Sequence, residues 1–279
     1  MKNLKNKVAA ITGAGSGIGR ATAINLASKG CHLALCDLDE KGLGETKEMA
    51  EKSGVKVTSQ LLDVSQHEKI YEFADNVVND HSKVNIIINN AGVSLTAKVS
   101  EMEMDDFKWI MDINFWGVIY GTKAFLPKIE QAGEGHIVNI SSLFGLLGMP
   151  TQSAYNASKF AVRGFTEALS MELKIYGIPI GVTSVHPGGI KTNIVKNSKV
   201  TTNEGIFANK EKAAKTVEKN FMTTPDQAAE KIVAGIIKNK KRVLIGRDAL
   251  SLDLMQRIMP CGYQKFIGSG AKKAFVTRK

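Results

Sequence analysis

Short apolar runs that alternate with longer amphipathic stretches most restrict how this chain of 279 residues can fold. The run Ile86-Ile87-Ile88 is apolar at every position, as expected of a strand that is buried on both faces of a sheet. Stretches with helical spacing separate these runs, so successive strands are joined by helices and lie parallel. The pattern predicts an α/β fold with a doubly wound sheet of seven parallel strands. We expect strands over 8–11, 33–36, 55–62, 86–88, 136–140, 180–185 and 242–245.

The chain has no linker that would divide it, so we expect one domain over residues 1–246 and an extension over 247–279. The polar, lysine-rich stretch 193–222 is longer than an ordinary connection and is predicted to form a loop or lid over the substrate. The extension has apolar residues at helical spacing up to Pro260 and is predicted to begin with a helix.

The formal net charge of +10 is compatible with three kinds of partner: nucleic acid, an anionic membrane surface or an acidic ligand. The position of the charged residues along the chain helps to choose between these partners. Residues 238–279 have eleven basic and two acidic side chains, a net charge of +9, whereas the 237 residues before them have a net charge of +1. A nucleic-acid partner is therefore not expected.

The cysteine, histidine and hydropathy patterns exclude further classes of protein. Cys31, Cys36 and Cys261 are too few and too scattered for a disulfide scaffold, which favours a reducing cytoplasm. The five histidines have no metal-ligand spacing, so no metal is expected. No apolar run approaches the ~18 residues of a membrane-spanning helix, and the N-terminus lacks the apolar stretch of a signal peptide.

A glycine-rich turn follows the first predicted strand and opens the first predicted helix. Glycines let the backbone turn sharply and approach a pyrophosphate, and the free N–H groups at a helix start attract an anion. A tight strand–helix connection without a ligand would also use glycines, but this position favours a dinucleotide site. The turn reads Thr12-Gly13-Ala14-Gly15-Ser16-Gly17-Ile18-Gly19.

Asp37 ends the second predicted strand, 18 residues after Gly19. A carboxylate at about this distance binds the ribose hydroxyls of adenosine and repels the 2′-phosphate of NADP. Neither Ser16 nor Leu38 offers the positive charge that a 2′-phosphate would need. The sequence therefore favours NAD as the cofactor and leaves NADP possible. The alternative role for Asp37 is the N-cap of the helix that begins near Asp39.

Two further strand ends have side chains suited to the same ligand, because ligands of open parallel sheets bind at the carboxyl ends of the strands. Asp63 and Val64 follow the third strand and are predicted to lie at the adenine. Asn90, Ala91 and Gly92 follow the fourth strand and are predicted to support the cofactor from below.

Tyr155 and Lys159 are four residues apart in a predicted helix and therefore share one face of it. A phenol is a poor base at neutral pH, because its reference pKa is about 10, but a nearby ammonium lowers that pKa. The pair is thus suited to move a proton to or from an alcohol oxygen. Ser142, after the fifth strand, can hydrogen-bond the same oxygen. Asn114, in a helix predicted over 103–131, can hold a water that connects Lys159 to solvent.

Six motifs occur in order along the chain: Thr12-Gly13-x-x-x-Gly17-x-Gly19, Asn89-Asn90-Ala91-Gly92, Asn114, Ser142, Tyr155-x-x-x-Lys159 and Pro187-Gly188-x-x-x-Thr192. Together they resemble the short-chain dehydrogenase/reductase family over roughly residues 5–246. The resemblance implies a Rossmann fold and a catalytic tetrad of Asn114, Ser142, Tyr155 and Lys159, with Tyr155 as the acid/base and Asn114 carrying the proton-relay water.

The resemblance implies further roles around the nicotinamide. Lys159 would also bind the nicotinamide ribose. The segment from Pro187 and Gly188 onward would wrap the nicotinamide, with Ile190 contributing its backbone and Thr192 its hydroxyl. Members of the family commonly form dimers or tetramers through the helices that carry Asn114 and Tyr155, so a homo-oligomer is expected.

The stretch between Ser142 and Tyr155 is largely apolar, and the resemblance puts it beside the substrate. Such a wall favours a lipophilic alcohol or carbonyl, long-chain, secondary or steroid-like, over a sugar. The alternative is that some of these residues pack into the core or an oligomer contact. The residues expected at the pocket are Leu143, Phe144, Met149 and Gln152, with Leu146 and Leu147 as further parts of the apolar wall.

The apolar and basic extension 247–279 has two candidate roles. It can contact an anionic membrane from which a lipophilic substrate arrives, or it can pack on its own or a neighbouring subunit and close the substrate pocket. Packing is favoured, because apolar helices usually bury themselves in protein.

The sequence thus predicts an NAD-linked oxidoreductase that interconverts an alcohol and a carbonyl by hydride transfer. Two other functions stay open: a 3-oxoacyl thioester reductase, and a nucleotide-binding regulatory protein without turnover. The complete tetrad argues against the regulatory protein, which would have no physical need of Tyr155 beside Lys159.

Overall fold

A computed structural model describes residues 1–194, 197–201 and 221–275, except for the side chains of 273–275. Its main sheet has seven parallel strands in the order β3-β2-β1-β4-β6-β7-β9, and β5 and β8 form a separate two-stranded sheet. The predicted doubly wound sheet is confirmed. The strands are β1 (Val8–Thr12), β2 (His32–Asp37), β3 (Val57–Leu61), β4 (Ile86–Asn89), β5 (Leu95–Thr96), β6 (Gly135–Ile140), β7 (Ile180–Pro187), β8 (Lys199–Val200) and β9 (Arg242–Ile245).

Helices connect the strands and cover both faces of the sheet, so that α1 packs on α7 and α3 packs on α5. The helices are α1 (Gly17–Ala27), α2 (Glu40–Glu51), α3 (His67–His81), α4 (Met104–Met111), α5 (Gly117–Gln131), α6 (Ser153–Ile175), α7 (Pro225–Ile237), α8 (Arg247–Ile258) and α9 (Tyr263–Phe275). Among the residues described, no helix is both long and apolar enough to cross a bilayer.

Strand β4 shows why the sheet lies between two apolar cores. All of its residues are buried, and alternate side chains of a strand point to opposite faces. Ile86 and Ile88 belong to the core under α1 and α7, whereas Ile87 belongs to the core under α3 and α5. An uninterrupted apolar run is therefore what this central strand requires.

Local capping fixes where two of the helices begin. The Asp39 side chain accepts a hydrogen bond from the N–H of Gly42 at 3.0 Å and caps α2. The alternative assignment of Asp37 as that N-cap is therefore wrong. Thr224 caps α7 in a capping box with Gln227, and Pro225 occupies the first turn, as its fixed φ favours.

The helix predicted over 103–131 runs without a break from Met104 to Gln131, but its hydrogen-bonding pattern changes in the middle. Between α4 and α5 the chain forms a π-helical turn over Asp112–Trp116, which contains the buried Asn114. Most of the predicted lid over 193–222 lies outside the described residues. Of it, Lys199 and Val200 form β8 beside β5.

The extension packs on its own subunit, as the favoured alternative predicts. Helices α8 and α9 supply Ala249 and Tyr263 to an apolar cluster with Leu146 and Leu147 from the segment after β6. An ion pair between Arg242 on β9 and the buried Asp253 on α8 adds to this contact.

Candidate active site

A cavity of about 900 Å³ lies at the carboxyl edge of the sheet. The strand order reverses between β1 and β4, and ligands of open α/β sheets bind at such a reversal. Asp37, the last residue of β2, lies at one end of the cavity, and the Leu143–Gly145 turn after β6 borders the other. The volume suits a ligand the size of a cofactor together with a small substrate.

The glycine-rich turn leaves the cavity side of β1 open to a ligand. Gly13 and Gly17 have φ angles of +66° and +53°, which disfavour any residue with a side chain. A Cβ on Gly19 would lie 2.0 Å from the carbonyl oxygen of Gly13, so this glycine lets the helix approach the turn. Of the residues predicted to bind the cofactor in this turn, Gly13, Ser16, Gly17 and Ile18 line the cavity, whereas Thr12, Gly15 and Gly19 do not.

The Asp37 carboxylate is fixed by two backbone N–H groups at the adenosine end expected from the sequence. Gly15 donates to its Oδ2 at 2.7 Å and Asp39 donates to its Oδ1 at 3.0 Å. Each oxygen keeps a lone pair that can accept a ribose hydroxyl. Asp37, Leu38 and Asp39 all line the cavity, so this end has two carboxylates.

Polar side chains brace the floor of the cavity. The Thr12 hydroxyl accepts the N–H groups of Asn90 and Ala91 at 3.0 and 3.1 Å. In return, the Asn90 amide donates to the carbonyls of Thr12 and Gly13 at 3.0 and 2.9 Å. Asn90 and Ala91, like Gly92, Asp63 and Val64, line the cavity as predicted.

Tyr155, Lys159 and Ser142 come together where α6 faces the end of β6. Tyr155 and Lys159 are almost fully buried, and all three line the cavity. The Lys159 amino group lies 5.8 Å from the centre of the Tyr155 ring and donates to the carbonyl of Ile140 at 3.1 Å. The Ser142 hydroxyl accepts the N–H of Phe144 at 3.1 Å and is hydrogen-bonded to Tyr155.

Burial controls the protonation of this group. It lowers the pKa of Lys159 to about 8 and raises the pKa of Tyr155 above its ordinary value, a rise that the hydrogen bond with Ser142 opposes. The pKa of Tyr155 is therefore not lowered as expected: burial raises it, and the contribution that opposes the rise is the hydrogen bond with Ser142 rather than the charge of Lys159. A phenol that stays protonated at neutral pH is a proton donor.

Asn114 lies behind the cavity wall and is fully buried. Its amide accepts the N–H of Val93 at 2.8 Å and donates to the carbonyl of Val93 at 2.9 Å. A Cβ on Gly92 would lie 3.0 Å from the Asn114 Oδ1 and 3.3 Å from the Lys159 Nζ. Asn114 and Lys159 therefore both border Gly92, and the π-helical turn places Asn114 there.

The segment after β7 forms the wall opposite the glycine-rich turn. Pro187, Gly188, Ile190 and Thr192 line the cavity as predicted. A Cβ on Gly17 would lie 3.1 Å from the methyl carbon of Thr192, so the two walls nearly meet at this point. Ile190 forms a bridge with Thr223.

The residues expected around the substrate divide into two groups. Leu143, Phe144, Met149 and Gln152 line the cavity, and the Gln152 amide donates to the Thr96 hydroxyl at 2.7 Å. Leu146 and Leu147 do not line it, because both are buried against Tyr263 and Ala249 of the extension. For these two, the alternative of core packing is correct.

Several residues that line the cavity were not predicted from the sequence, because they come from distant or short segments that contain no motif. Asp248 comes from the first turn of α8, and Phe221 precedes α7. Ser94 and Thr96 come from the segment around β5. An acidic residue directly after the last predicted strand was the available signal for Asp248. Among the residues described, no group of three potential ligands forms a metal site.

The fold is of the Rossmann type, and its cavity contains Tyr155, Lys159 and Ser142, a group suited to proton transfer at a substrate oxygen. The family model for short chain dehydrogenases matches residues 7–203. The chain is 46% identical to SadH of Mycobacterium tuberculosis, named as an oxidoreductase, over 99% of both chains. It is 32% identical to estradiol 17-beta-dehydrogenase 11 of Rattus norvegicus, over 93% of this chain and 82% of that protein.

A solved structure agrees with these relatives. A short-chain dehydrogenase/reductase from Burkholderia phymatum, in complex with NAD, superimposes with a TM-score of 0.86 at 30% identity, over 93% of this chain and 96% of that one. The chain therefore belongs to the short-chain dehydrogenase family.

Proposed function

We propose that this protein is an NAD-linked oxidoreductase that interconverts a lipophilic alcohol and the corresponding carbonyl. One observation carries the proposal: a single cavity joins the glycine-rich turn and Asp37 to the buried group of Tyr155, Lys159 and Ser142. The first end suits a dinucleotide, and the second suits proton transfer at a substrate oxygen.

The cavity walls favour NAD over NADP. Asp37 and Asp39 face the end where the adenosine ribose would lie, and Lys159 is the only basic side chain among the described residues that line the cavity. Arg20 is committed to an ion pair with Glu45 at 2.9 Å. A 2′-phosphate would thus meet two carboxylates without a compensating cation. The NAD complex of the similar Burkholderia protein supports this assignment.

The chain's own residues handle the proton. When bound, the cofactor supplies or accepts a hydride. During reduction, Tyr155 donates its proton to the carbonyl oxygen. During oxidation, the phenol passes its own proton to the relay water and takes the proton of the alcohol, so that it ends the step protonated. Ser142 hydrogen-bonds the same oxygen as charge develops. Lys159 binds the nicotinamide ribose, and Asn114 holds the relay water that returns protons from solvent.

The substrate end favours an apolar molecule. Leu143, Phe144 and Met149 contribute side chains there, while the polar groups of Gln152 and Thr96 are occupied by each other. The similarity to an estradiol dehydrogenase is compatible with a lipophilic secondary alcohol. The alternative, a 3-oxoacyl thioester, would need positive charges for an anionic carrier, and the lysine-rich stretch 193–222 that could provide them lies mostly outside the described residues.

A panel of purified alcohols tests the proposal. Decan-2-ol, cyclohexanol and a 17β-hydroxysteroid are compared with xylitol, each with NAD and with NADP, and formation of the reduced cofactor is followed by absorbance. We expect turnover of the apolar alcohols with NAD, at a kcat/KM at least about tenfold higher than with NADP. Preference for xylitol, or for NADP, would contradict the assignment.

We further propose a homo-oligomer assembled through α5 and α6. Trp116, Phe160 and Met171 expose apolar side chains on or beside these helices. Such side chains on neighbouring elements are typical of a subunit contact. Light scattering after gel filtration should give a dimer or tetramer, and Met171→Glu should lower its mass. A monomer at micromolar concentration would refute this assembly.

We also propose that the extension 247–279, besides packing on its own subunit, contacts an anionic membrane through α8. Leu250, Leu254 and Ile258 form one exposed apolar stripe along α8, flanked by Arg247 and Arg257. An apolar stripe bordered by arginine suits the interface of an anionic bilayer.

Flotation with phosphatidylserine and with phosphatidylcholine vesicles tests membrane contact. The triple variant Leu250→Ser, Leu254→Ser, Ile258→Ser should lose binding to the anionic vesicles. The matched pair Val99→Ser, Met104→Ser, which is equally exposed but lies outside α8 and outside the proposed subunit contact, should retain it. Equal flotation of both variants, or none by the wild type, would exclude membrane contact through α8.

A further inference from the structure

The C-terminal extension touches two loops that border the cavity, although the match to the family model ends at residue 203. Asp248, in the first turn of α8, accepts the N–H of Gly189 at 2.6 Å through its Oδ2. Tyr263, at the start of α9, accepts the N–H of Gly148 at 3.0 Å through its hydroxyl. Each contact joins the extension to a different loop.

The Asp248 carboxylate occupies a space that two glycines keep open. A Cβ on Gly188 would lie 2.2 Å from its Oδ2, and a Cβ on Gly246 would lie 2.3 Å from its Oδ1. Gly246 also has a φ of +100°, which a residue with a side chain rarely adopts. Asp248 itself lines the cavity beside Gly188 and Gly189. The backbone on both sides is therefore shaped around this carboxylate.

Tyr263 holds the loop at the substrate end. Its ring is buried and packs with Leu146 and Leu147, and its hydroxyl reaches the backbone of the next residue, Gly148. The same loop supplies Leu143 and Met149 to the cavity. Fixing the backbone at Gly148 therefore fixes the apolar wall on both sides of that point.

We propose that the extension helps to form the active site. Asp248 positions the loop at Gly189, which wraps the nicotinamide, and Tyr263 positions the loop at Gly148, which borders the substrate. The inference rests on the proposed function, because it assigns a ligand to each loop. Asp248 acts through Gly189 on cofactor affinity, and Tyr263 acts through Gly148 on the shape of the substrate wall. The two effects are separable, since the contacts reach loops on different strands.

Three substitutions separate these roles. Asp248→Ala removes the acceptor for Gly189, whereas Asp248→Asn keeps an oxygen acceptor and removes the charge. Tyr263→Phe keeps the ring in its apolar cluster and removes only the hydroxyl. The readouts are NADH affinity from fluorescence titration and amide hydrogen exchange of the full-length protein, neither of which requires a known substrate.

We expect Asp248→Ala to raise the NADH dissociation constant about tenfold, because a hydrogen bond to a charged acceptor is lost. Exchange should speed up at Gly189 and stay unchanged at Gly148. Asp248→Asn should restore most of the affinity. Tyr263→Phe should leave NADH affinity within about twofold, and it should speed up exchange at Gly148 alone.

Uniformly faster exchange in both variants would overturn the proposal, because it would mean that the contacts only stabilise the fold. Unchanged NADH affinity in Asp248→Ala would overturn the role of Asp248, and unchanged exchange at Gly148 in Tyr263→Phe would overturn that of Tyr263. Failure of the wild-type protein to bind NADH would instead contradict the proposed function, and the exchange pattern would then still test the two contacts.

Discussion

Lys159 should make the folded protein less stable at neutral pH than a variant without the charge. Its side chain is 3% exposed, and burial lowers its pKa from 10.5 to about 8. A shift of one pKa unit corresponds to about 1.4 kcal/mol, so burying the ammonium costs about 3 kcal/mol while both states are protonated. Lys159→Met replaces the side chain by a neutral one of similar length.

The pH dependence follows from the direction of the shift. Between pH 8 and 10.5 the unfolded chain still binds the proton that the folded protein has released, so wild-type stability rises with pH in this window. At pH 7 the variant should be more stable by about 1–2 kcal/mol, since it also loses the hydrogen bond to Ile140. Near pH 10.5 that advantage should disappear or reverse.

Urea unfolding of both proteins at pH 7 and pH 10.5 measures this difference. Other titrating groups are common to the two proteins, so the change in the difference isolates Lys159. The expected change is about 3 kcal/mol in favour of the wild type at high pH. A difference in unfolding free energy that is the same at both pH values would refute the assignment of a buried, charged Lys159.

Two further predictions concern the dinucleotide end. Asp37→Asn keeps an acceptor for the N–H of Gly15 but removes the negative charge. The ratio of kcat/KM for NAD over that for NADP should therefore fall about tenfold or more. An unchanged ratio would show that Asp37 does not select the cofactor. Gly19→Ala would place a Cβ 2.0 Å from the Gly13 carbonyl oxygen and should abolish NADH binding. The control is Gly44→Ala in α2, where a Cβ would have no neighbour within 4 Å. This control should bind NADH normally and gain about 0.5–1 kcal/mol of stability in thermal unfolding. Normal NADH binding by Gly19→Ala would contradict the role of the close helix approach.

The sequence alone was sufficient for the sheet and for most of the cavity, because both depend on local patterns. Apolar runs such as Ile86-Ile87-Ile88 identify central strands, and side chains after those strands meet at one edge. The glycine-rich turn, Asp37 and the Tyr155–Lys159 pair all lie on the cavity side because strand ends and helix spacing dictate it.

The predictions that were wrong or missing depend on contacts between distant parts of the chain, which a local sequence pattern does not reveal. The pKa of Tyr155 rises because of burial, which depends on everything packed around it rather than on Lys159 four residues away. Leu146 and Leu147 turn from the cavity because residues more than 100 positions later cover them. The contact of Asp248 with Gly189 likewise joins segments that are distant in sequence.

The central claim is that Tyr155 transfers the proton, and Tyr155→Phe tests it most directly. The Tyr155 ring is buried and packs edge-on against Phe144 at 6.1 Å, so phenylalanine preserves the shape of the site. With decan-2-ol and NAD, we expect turnover to fall at least about a hundredfold while NADH affinity stays within about twofold. Turnover by the variant within about tenfold of the wild type would contradict the account.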